Sequence, residues 1–272
     1  MSGRAALARR RPTGQIDTMS RLLVNCLLYI TFLGACEPST GAATIEILRV
    51  LPHDTSAYTQ GLLLHEGRLY ESTGQYGTST LREVEIESGH VIRSVEVPDT
   101  YFAEGLALVG DRLIQLTWKE GVALAYDLET FRQEEGFRYE GEGWGLCYDG
   151  SSLYMTTGGS ILYRRDPVTF EVLDTQQILR NGRSLSGVNE LECVGDHILG
   201  NVYQTSDIVR IDKATGLVVE EIDASNAVPP GGRPRAADAV LNGIAYDPVR
   251  GVYYITGKRW PALFEVRLVP GS

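Results

Sequence analysis

The tripeptide Gln60-Gly61-Leu62 returns four times along this chain in altered form. The later versions stand 44, 40, 45 and 53 residues apart: Glu104-Gly105-Leu106, Trp144-Gly145-Leu146, Asn189-Glu190-Leu191 and Asn242-Gly243-Ile244. Each begins a short apolar strand that runs into a turn and a second strand, and this order is the signal of a β-hairpin. The chain therefore contains five internal repeats, and their period should decide the fold.

The period of the repeats indicates a β-propeller. Third and fourth strands are predicted in the first four repeats, and four strands in about 40 to 45 residues make one blade. The last repeat ends one strand short, near Phe264–Leu268, and the segment Thr44–Val50 can supply the missing strand. Pairing these two segments would remove exposed sheet edges. We predict an all-β fold, a five-bladed β-propeller closed by pairing an N-terminal strand with the last blade. An open sandwich of about twenty strands would leave the period unexplained.

Composition supports a turn-rich β protein. The chain has 272 residues, with 30 Gly and 14 Tyr beside 6 Phe, which is enough for one large β domain. A net charge of −10 argues against a nucleic-acid partner. The four histidines, at positions 53, 65, 90 and 197, are too scattered to predict a zinc site. We therefore expect no zinc cofactor.

The first 36 residues resemble an export signal. Arg9, Arg10, Arg11 and Arg21 precede an apolar run, Leu22–Leu33, that is shorter than the ~20 residues of a spanning helix. The run ends in Leu33-Gly34-Ala35-Cys36, which resembles the lipobox of bacterial lipoproteins. We predict a lipoprotein-type signal peptide at 1–36 ending at lipidated Cys36, a linker at 37–43 and the propeller at 44–272. The protein would then be periplasmic or in the cell envelope, held to the membrane by lipid. A transmembrane anchor is the alternative, and Met19 is an alternative start.

Two cysteines remain after the signal. Cys147 and Cys193 occupy matching places in consecutive repeats. Because matching places in neighbouring blades tend to be far apart, we expect two buried thiols rather than a disulfide.

The repeats also predict where a binding site lies. In a propeller the first strand of each blade lines the central channel, so residues that open the five repeats should share one mouth: Gln60, Glu104, Trp144, Asn189 and Asn242. A second ring follows fourteen or fifteen residues later: Gly74, Trp118, Gly158, Tyr203 and Gly257. Its glycines would leave space, its aromatic side chains would form walls, and Lys258 follows directly. Aromatic walls with a few convergent polar groups are typical of a small-ligand site.

Glu104 is the single acid of the two rings, and apolar surroundings would raise its pKa toward the range useful for proton transfer. Structural alternatives exist for each residue. The aromatic side chains could pack between blades, Glu104 could accept backbone hydrogen bonds, and Lys258 could be an exposed charge. The coincidence of all of them at one mouth favours the functional interpretation.

Motifs spread from about Ile45 to Leu268 resemble the plant and bacterial glutaminyl cyclotransferases. They are Thr59-Gln60-Gly61-Leu62, Phe102-Ala103-Glu104-Gly105-Leu106, Leu116-Thr117-Trp118-Lys119, Gly143-Trp144-Gly145-Leu146, Asn189-Glu190-Leu191-Glu192, Gly200-Asn201-Val202-Tyr203, Leu241-Asn242-Gly243-Ile244-Ala245 and the segment Thr256–Pro261. The resemblance implies a metal-free five-bladed propeller that closes N-terminal glutamine of peptides and proteins into pyroglutamate and releases ammonia. We expect a monomer.

Carried over by position, the resemblance makes Glu104 the general acid/base. It makes pocket residues of Gln60, Trp118, Trp144, Asn189 and Lys258, with Phe102 as a wall. The sequence departs from the family's usual pattern at Tyr58, where Phe is common, and at Tyr203, where Trp is common. Both changes keep an aromatic ring and add a hydroxyl, so they bear on substrate preference more than on the reaction.

The implied reaction needs no nucleophile from the enzyme, because the α-amine of the substrate attacks its own γ-amide. The chain accordingly lacks a G-x-S-x-G elbow and any evident Ser-His-Asp or Cys-His arrangement. We expect Asn189 and the indole N–H of Trp144 to stabilise the oxyanion, and Gln60 and Lys258 to bind the adjacent peptide carbonyl. Two rival functions remain: a non-catalytic periplasmic scaffold, and a lactonase-like propeller with a calcium site.

Overall fold

The computed structural model describes residues 41–271, and this part of the chain forms β-strands without helices. The signal segment 1–36, its lipidation site Cys36 and most of the linker lie outside the described residues. The chain opens with β1 (Gly41–Pro52), which contains the predicted strand Thr44–Val50. Among residues 41–271, no helix is long and apolar enough to cross a membrane.

Three antiparallel sheets follow, each made of four strands that pair in chain order. The first contains β2 (Thr59–His65), β3 (Arg68–Thr73), β4 (Thr80–Val84) and β5 (Val91–Glu96). The second contains β6 (Ala103–Val109), β7 (Arg112–Thr117), β8 (Val122–Asp127) and β9 (Gln133–Arg138). The third contains β10 (Leu146–Tyr148), β11 (Leu153–Met155), β12 (Ile161–Arg165) and β13 (Val172–Gln177). The first two strands of a sheet are largely buried, whereas a last strand such as β5 is more exposed.

The rest of the chain forms a two-stranded ribbon and one larger sheet. The ribbon is β14 (Leu179–Arg180) with β15 (Arg183–Ser184). The strands that follow are β16 (Val188–Val194), β17 (His197–Val202), β18 (Asp207–Asp212), β19 (Val218–Asp223), β20 (Leu241–Asp247), β21 (Val252–Gly257) and β22 (Ala262–Pro270). They join β1 in an eight-stranded sheet of order β16-β17-β18-β19-β1-β22-β21-β20.

The N-terminal strand completes the last repeat, as predicted. β1 pairs antiparallel with β22 in a register that sets Ile45 opposite Leu268 and Val50 opposite Phe264. The first residues of β1 also pair in parallel with β19, where Gly41 faces Glu220. This second pairing, which the sequence did not predict, merges the fourth and fifth repeats into one sheet.

The first strands of the five repeats contact one another in a closed cycle: β2 with β6, β6 with β10, β10 with β16, β16 with β20 and β20 with β2. Their backbones come so close that the repeated motif needs glycine. A Cβ on Gly61 would collide with the backbone of Leu106, and one on Gly105 with the backbone at Trp144 and Leu146. These contacts and the separate small sheets fit a β-propeller.

The fourth repeat carries Glu190 where the other four carry glycine. Its side chain is buried, and its two carboxylate oxygens accept hydrogen bonds from the backbone N–H groups of Leu62 and Ile244, at 3.2 and 2.8 Å. Glu190 therefore ties β16 to the first strands β2 and β20. Burial raises the pKa of this carboxyl well above its ordinary value.

The expectation of two free thiols is wrong. Cys147 on β10 and Cys193 on β16 form a disulfide, with their Cα atoms 5.5 Å apart. Matching places in neighbouring blades were expected to lie far apart. First strands converge and touch, so residues at nearby positions of two of them, Cys147 and Cys193, come within bonding distance.

Candidate active site

A cavity of about 200 Å³ opens where the first strands begin. Nine side chains line it: Tyr58, Gln60, Phe102, Glu104, Trp118, Trp144, Asn189, Tyr203 and Lys258. All nine belong to the set predicted from the sequence. The tenth member of that set, Asn242, lies behind Gln60 and does not line the cavity.

The local backbone explains why the polar residues that open four of the repeats face inward. Gln60, Glu104, Asn189 and Asn242 are each the second residue of a first strand. The pairing of each of these strands with the next shifts register at that residue, for example between Ala103 and Leu106. Irregularities of this kind bend a strand and redirect a side chain, and they are common beside active sites.

Glu104 is the buried acid of the cavity, with 4% of its surface exposed. Its Oε1 accepts a hydrogen bond of 2.8 Å from Nε2 of Gln60, while its buried Oε2 has no partner among the described residues. Burial raises the pKa of Glu104 well above its ordinary value, against the opposing effect of Lys258, and the carboxylates of Glu142 and Glu120 add to the rise. This is the direction that the sequence predicted.

Gln60 and Asn242 form a chain of hydrogen bonds behind Glu104. The Nδ2 of Asn242 donates to the backbone oxygen of Thr59 at 2.9 Å and to Oε1 of Gln60 at 3.2 Å. Both ends of the Gln60 amide are therefore engaged, one by Asn242 and the other by Glu104. Gln60 was expected to bind the peptide carbonyl of a substrate, but these bonds direct its amide toward Glu104.

Lys258 brings a second titratable group into the cavity. It is 2% exposed, and its Nζ lies 4.8 Å from the ring centroid of Tyr58 and 4.9 Å from that of Tyr203. Burial lowers its pKa to about 8, with Glu104 and Asp238 opposing the change. Lys258 is thus a buried group between two aromatic faces rather than an exposed charge.

The aromatic walls contact each other edge to face. Ring centroids are 5.6 Å apart for Phe102 and Trp118, 5.9 Å for Tyr58 and Phe102, and 5.7 Å for Trp144 and Tyr203. Such pairs contribute about 0.5–1.5 kcal/mol beyond the area that they bury.

Two glycines of the second ring make room for these wall residues, and the third makes room for another aromatic ring, so none of them leaves space for a ligand. A Cβ on Gly74 would collide with the Phe102 ring, and one on Gly158 with the Trp144 ring. Gly257 faces the ring of Trp260 in the same way.

Asn189 also lines the cavity. It is 3% exposed, and its Oδ1 has no hydrogen-bond partner within residues 41–271. The cavity thus holds two buried and unpaired acceptor atoms, Oε2 of Glu104 and Oδ1 of Asn189. Leaving buried acceptors unpaired costs about 1–3 kcal/mol each, which favours a ligand that carries hydrogen-bond donors.

Sequence reasoning missed one residue that contacts the walls directly. Oε2 of Glu142 accepts hydrogen bonds from Nε1 of Trp118 at 2.9 Å and from Nε1 of Trp144 at 3.0 Å. Glu142 stands two residues before the repeated motif, at a position where the other repeats have no common residue type, so the period gave no signal. The Trp144 N–H, expected to serve an oxyanion, is directed to Glu142 instead.

The described part of the chain contains no group of three or more His, Cys, Asp or Glu side chains placed to hold a metal ion.

Comparison with known proteins agrees with this geometry. The family model of glutamine cyclotransferase matches residues 22–268. The chain belongs to this family. It is 39% identical over 233 residues to the glutaminyl-peptide cyclotransferase of Arabidopsis thaliana, covering 84% of this chain and 72% of the relative. The crystal structure of the Myxococcus xanthus glutaminyl cyclase is also similar, with 41% identity and a TM-score of 0.81 over 86% of this chain and 100% of that chain. The predicted family is confirmed.

Proposed function

We propose that Glu104 is the general acid/base with which this member of the glutamine cyclotransferase family converts N-terminal glutamine of peptides and proteins into pyroglutamate. The observation that carries this role is the state of its carboxyl group. One oxygen is fixed by Gln60 and the other is buried and unpaired, in a side chain that lines an aromatic cavity. Burial makes this group a stronger base than an exposed glutamate, which suits it to accept a proton near neutral pH.

The reaction requires one proton to move between two nitrogens of the substrate. The α-amine nitrogen attacks the γ-carboxamide carbon, and the Oε2 of Glu104 takes a proton from that amine as the new C–N bond forms. The same proton then passes to the amide nitrogen, whose bond to carbon breaks to release ammonia. Glu104 ends in its starting state. A free α-amine has a pKa of about 7.7–8.0, so a moderately basic carboxylate is sufficient.

The other cavity groups fit the remaining tasks. We assign the γ-amide and the oxyanion that forms on it to Asn189 and Lys258, because the Gln60 amide and the Trp144 N–H have other partners. Hydrogen-bond donors that are fixed in a site that excludes water stabilise the transition state by several kcal/mol. The indole and tyrosine faces hold the methylene groups of glutamine in the folded geometry that ring closure needs.

We also propose that the reaction needs no metal. The substrate supplies its own nucleophile, so the protein must provide one proton acceptor and one set of oxyanion donors, and the cavity contains both. Full turnover after treatment with EDTA is expected, and loss of turnover that is restored by a divalent cation would contradict this. Full turnover after EDTA would also set aside a calcium-dependent lactonase.

The test of the reaction uses purified protein and a peptide that begins with glutamine. Mass spectrometry should show loss of one ammonia molecule from that peptide and no change in a matched peptide that begins with asparagine. Conversion by wild type but not by Glu104→Gln supports both the reaction and the role of Glu104. Equal conversion by both proteins would refute the role and leave the reaction standing.

The fold that we propose for this activity is a five-bladed β-propeller. The cyclic contacts of five first strands support it, as does the pairing of β1 with β22, which gives the last repeat its fourth strand. This ring places the starts of all five first strands at one mouth, where the cavity lies.

We propose that the protein is exported and held in the cell envelope by a lipid on Cys36, acting there on peptide and protein substrates as a monomer. The apolar run Leu22–Leu33 and the Leu33-Gly34-Ala35-Cys36 sequence support this. Cys36→Ser should move the protein from the membrane fraction to the soluble fraction without loss of activity. Membrane association that persists in the variant would point to an anchor of another kind.

A further inference from the structure

The wall tryptophans come from two different loops and meet at one carboxylate. Trp118 follows β7 of the second sheet, whereas Glu142 and Trp144 lie in the loop between β9 and β10. A single oxygen of Glu142 accepts both indole N–H groups, at 2.9 and 3.0 Å. An indole N–H can donate but not accept, so each ring has one polar contact that fixes its rotation.

The loop that carries Glu142 is itself held closely. The N–H of Gly143 donates to the backbone oxygen of Trp118 at 2.8 Å, and that of Trp144 donates to the backbone oxygen of Thr156 at 3.0 Å. A Cβ at Gly143 would collide with the Tyr139 hydroxyl and the Thr117 carbonyl, so the backbone has little room to move. The carboxylate therefore acts as a fixed point for both rings.

The orientation of the two indoles reaches the rest of the cavity. Trp118 contacts Phe102 edge to face, and Trp144 contacts Tyr203 in the same way. Both tryptophans are half-buried, so without an acceptor their N–H groups would gain by turning toward water. Hydrogen bonds to a carboxylate are about twice as strong as those between neutral groups, which suits Glu142 to resist that turn.

We propose that Glu142 is a positioning residue for glutamine cyclisation, holding the Trp118 and Trp144 rings in the orientation that shapes the cavity around the substrate. The proposal rests on the function proposed above. Glu142 acts through the two rings, and it is distinct from the groups that move the proton.

The charge of Glu142 has a second, separable effect on Glu104. The charged groups that act on Glu104 are Lys258, Glu142 and Glu120, and the two carboxylates add to the rise in its pKa that burial produces. Replacing either carboxylate with an amide should lower the pKa of Glu104 and move the acid limb of the kcat/KM profile to lower pH. Glu120 contacts neither indole nitrogen, since its carboxylate accepts from the Tyr76 hydroxyl and the Lys119 N–H. Glu120→Gln is therefore a matched control.

Three variants separate the positioning of the two indole rings from the effect of charge on the pKa of Glu104. Glu142→Asp keeps the charge but is one methylene too short to reach both nitrogens, so kcat/KM should fall about 10²-fold, the cost of a small misplacement of reacting groups, with the pH profile unchanged. Glu142→Gln keeps an acceptor oxygen at full length, so most turnover should return while the acid limb shifts. Glu120→Gln should shift the limb alone.

Tryptophan fluorescence gives a readout that does not depend on turnover. The chain has three tryptophans, and the third, Trp260, is buried with its Nε1 bonded to the Ala239 oxygen at 2.9 Å, which makes it a constant background. Emission should change in Glu142→Asp, remain near wild type in Glu142→Gln, and be unaffected in Glu120→Gln.

Wild-type kcat/KM and emission in Glu142→Asp would overturn the proposal. If thermal melting shows that Glu142→Asp does not fold, the proposal is also overturned, because Glu142 would then hold the loop rather than the indole rings. If wild type itself does not cyclise glutamine, the proposed function fails, while the emission data still report whether Glu142 fixes the indoles.

Discussion

Replacing Glu104 with glutamine tests the chemistry with the least change in shape. The amide oxygen of the new side chain can still accept the 2.8 Å hydrogen bond from Gln60. The buried Oε2, which has no partner within residues 41–271, becomes an NH₂ group that cannot accept a proton. Removal of a general acid/base costs about 10²–10⁴-fold in rate, so kcat should fall by that amount with a smaller change in KM.

Glu104→Gln should lower activity without lowering the thermal stability of the fold. The raised pKa of Glu104 means that the folded state retains the proton at a pH where the unfolded chain has lost it. This contribution to stability is complete below the ordinary pKa of glutamate and is lost as pH rises through the folded value. Glutamine cannot ionise, so Glu104→Gln should melt at the same temperature as wild type or higher at neutral pH.

The assay compares kcat/KM on one peptide beginning with glutamine for wild type, Glu104→Gln and Glu192→Gln. Glu192 is another carboxyl with a raised pKa, but it lies nearer the other end of the first strands, beside the disulfide and outside the active-site cavity. Its amide variant should retain turnover. Activity of Glu104→Gln within about threefold of wild type would refute the reasoning, since an acid/base cannot be removed at so small a cost.

Three further changes test other parts of the structure. Trp118→Ala should raise KM more than it lowers kcat, because the ring contacts substrate in both ground and transition states, and steady-state kinetics would show the reverse if the ring acted mainly on the reaction step. Burial raises the pKa of Glu192 to about 8, so Glu192→Gln should stabilise the fold increasingly as the pH rises from about 4.5 to 8. Denaturant titrations with no pH-dependent gain would contradict this. Reduction of Cys147–Cys193, 46 residues apart, should cost about 4 kcal/mol of unfolding free energy on the chain-entropy estimate, and an unchanged denaturation midpoint after reduction would rule that out.

Much of the fold was predictable because it repeats. Residues such as Gln60, Glu104 and Asn189 recur at nearly constant spacing, so they start equivalent strands, and a ring of equivalent strands brings equivalent residues to one mouth. The same logic assigned Thr44–Val50 to the incomplete last repeat, and β1 confirms it.

What the period could not provide were contacts between residues in non-equivalent positions. Glu142 has no counterpart in the other repeats, yet it joins two wall tryptophans. Gln60 has the right place in the ring, but the direction of its amide depends on Asn242, which stands 182 residues later in the chain. Spacing places a residue on a strand, while the hydrogen bonds that its side chain makes depend on neighbours brought together from other sheets.

The sequence by itself determined the repeating strands and the closing N-terminal strand, because both follow from local pattern and period. It also indicated the nine side chains that surround the cavity, seven through the period and Tyr58 and Phe102 through the family resemblance. Tertiary structure alone decided the disulfide, the use of glycines to admit aromatic rings, and the partner of each polar group. The physical reason is that first strands approach to backbone contact around a common axis. At that distance, residues far apart in the chain meet and compete for the same few donors and acceptors, and a linear sequence does not record which pairs form.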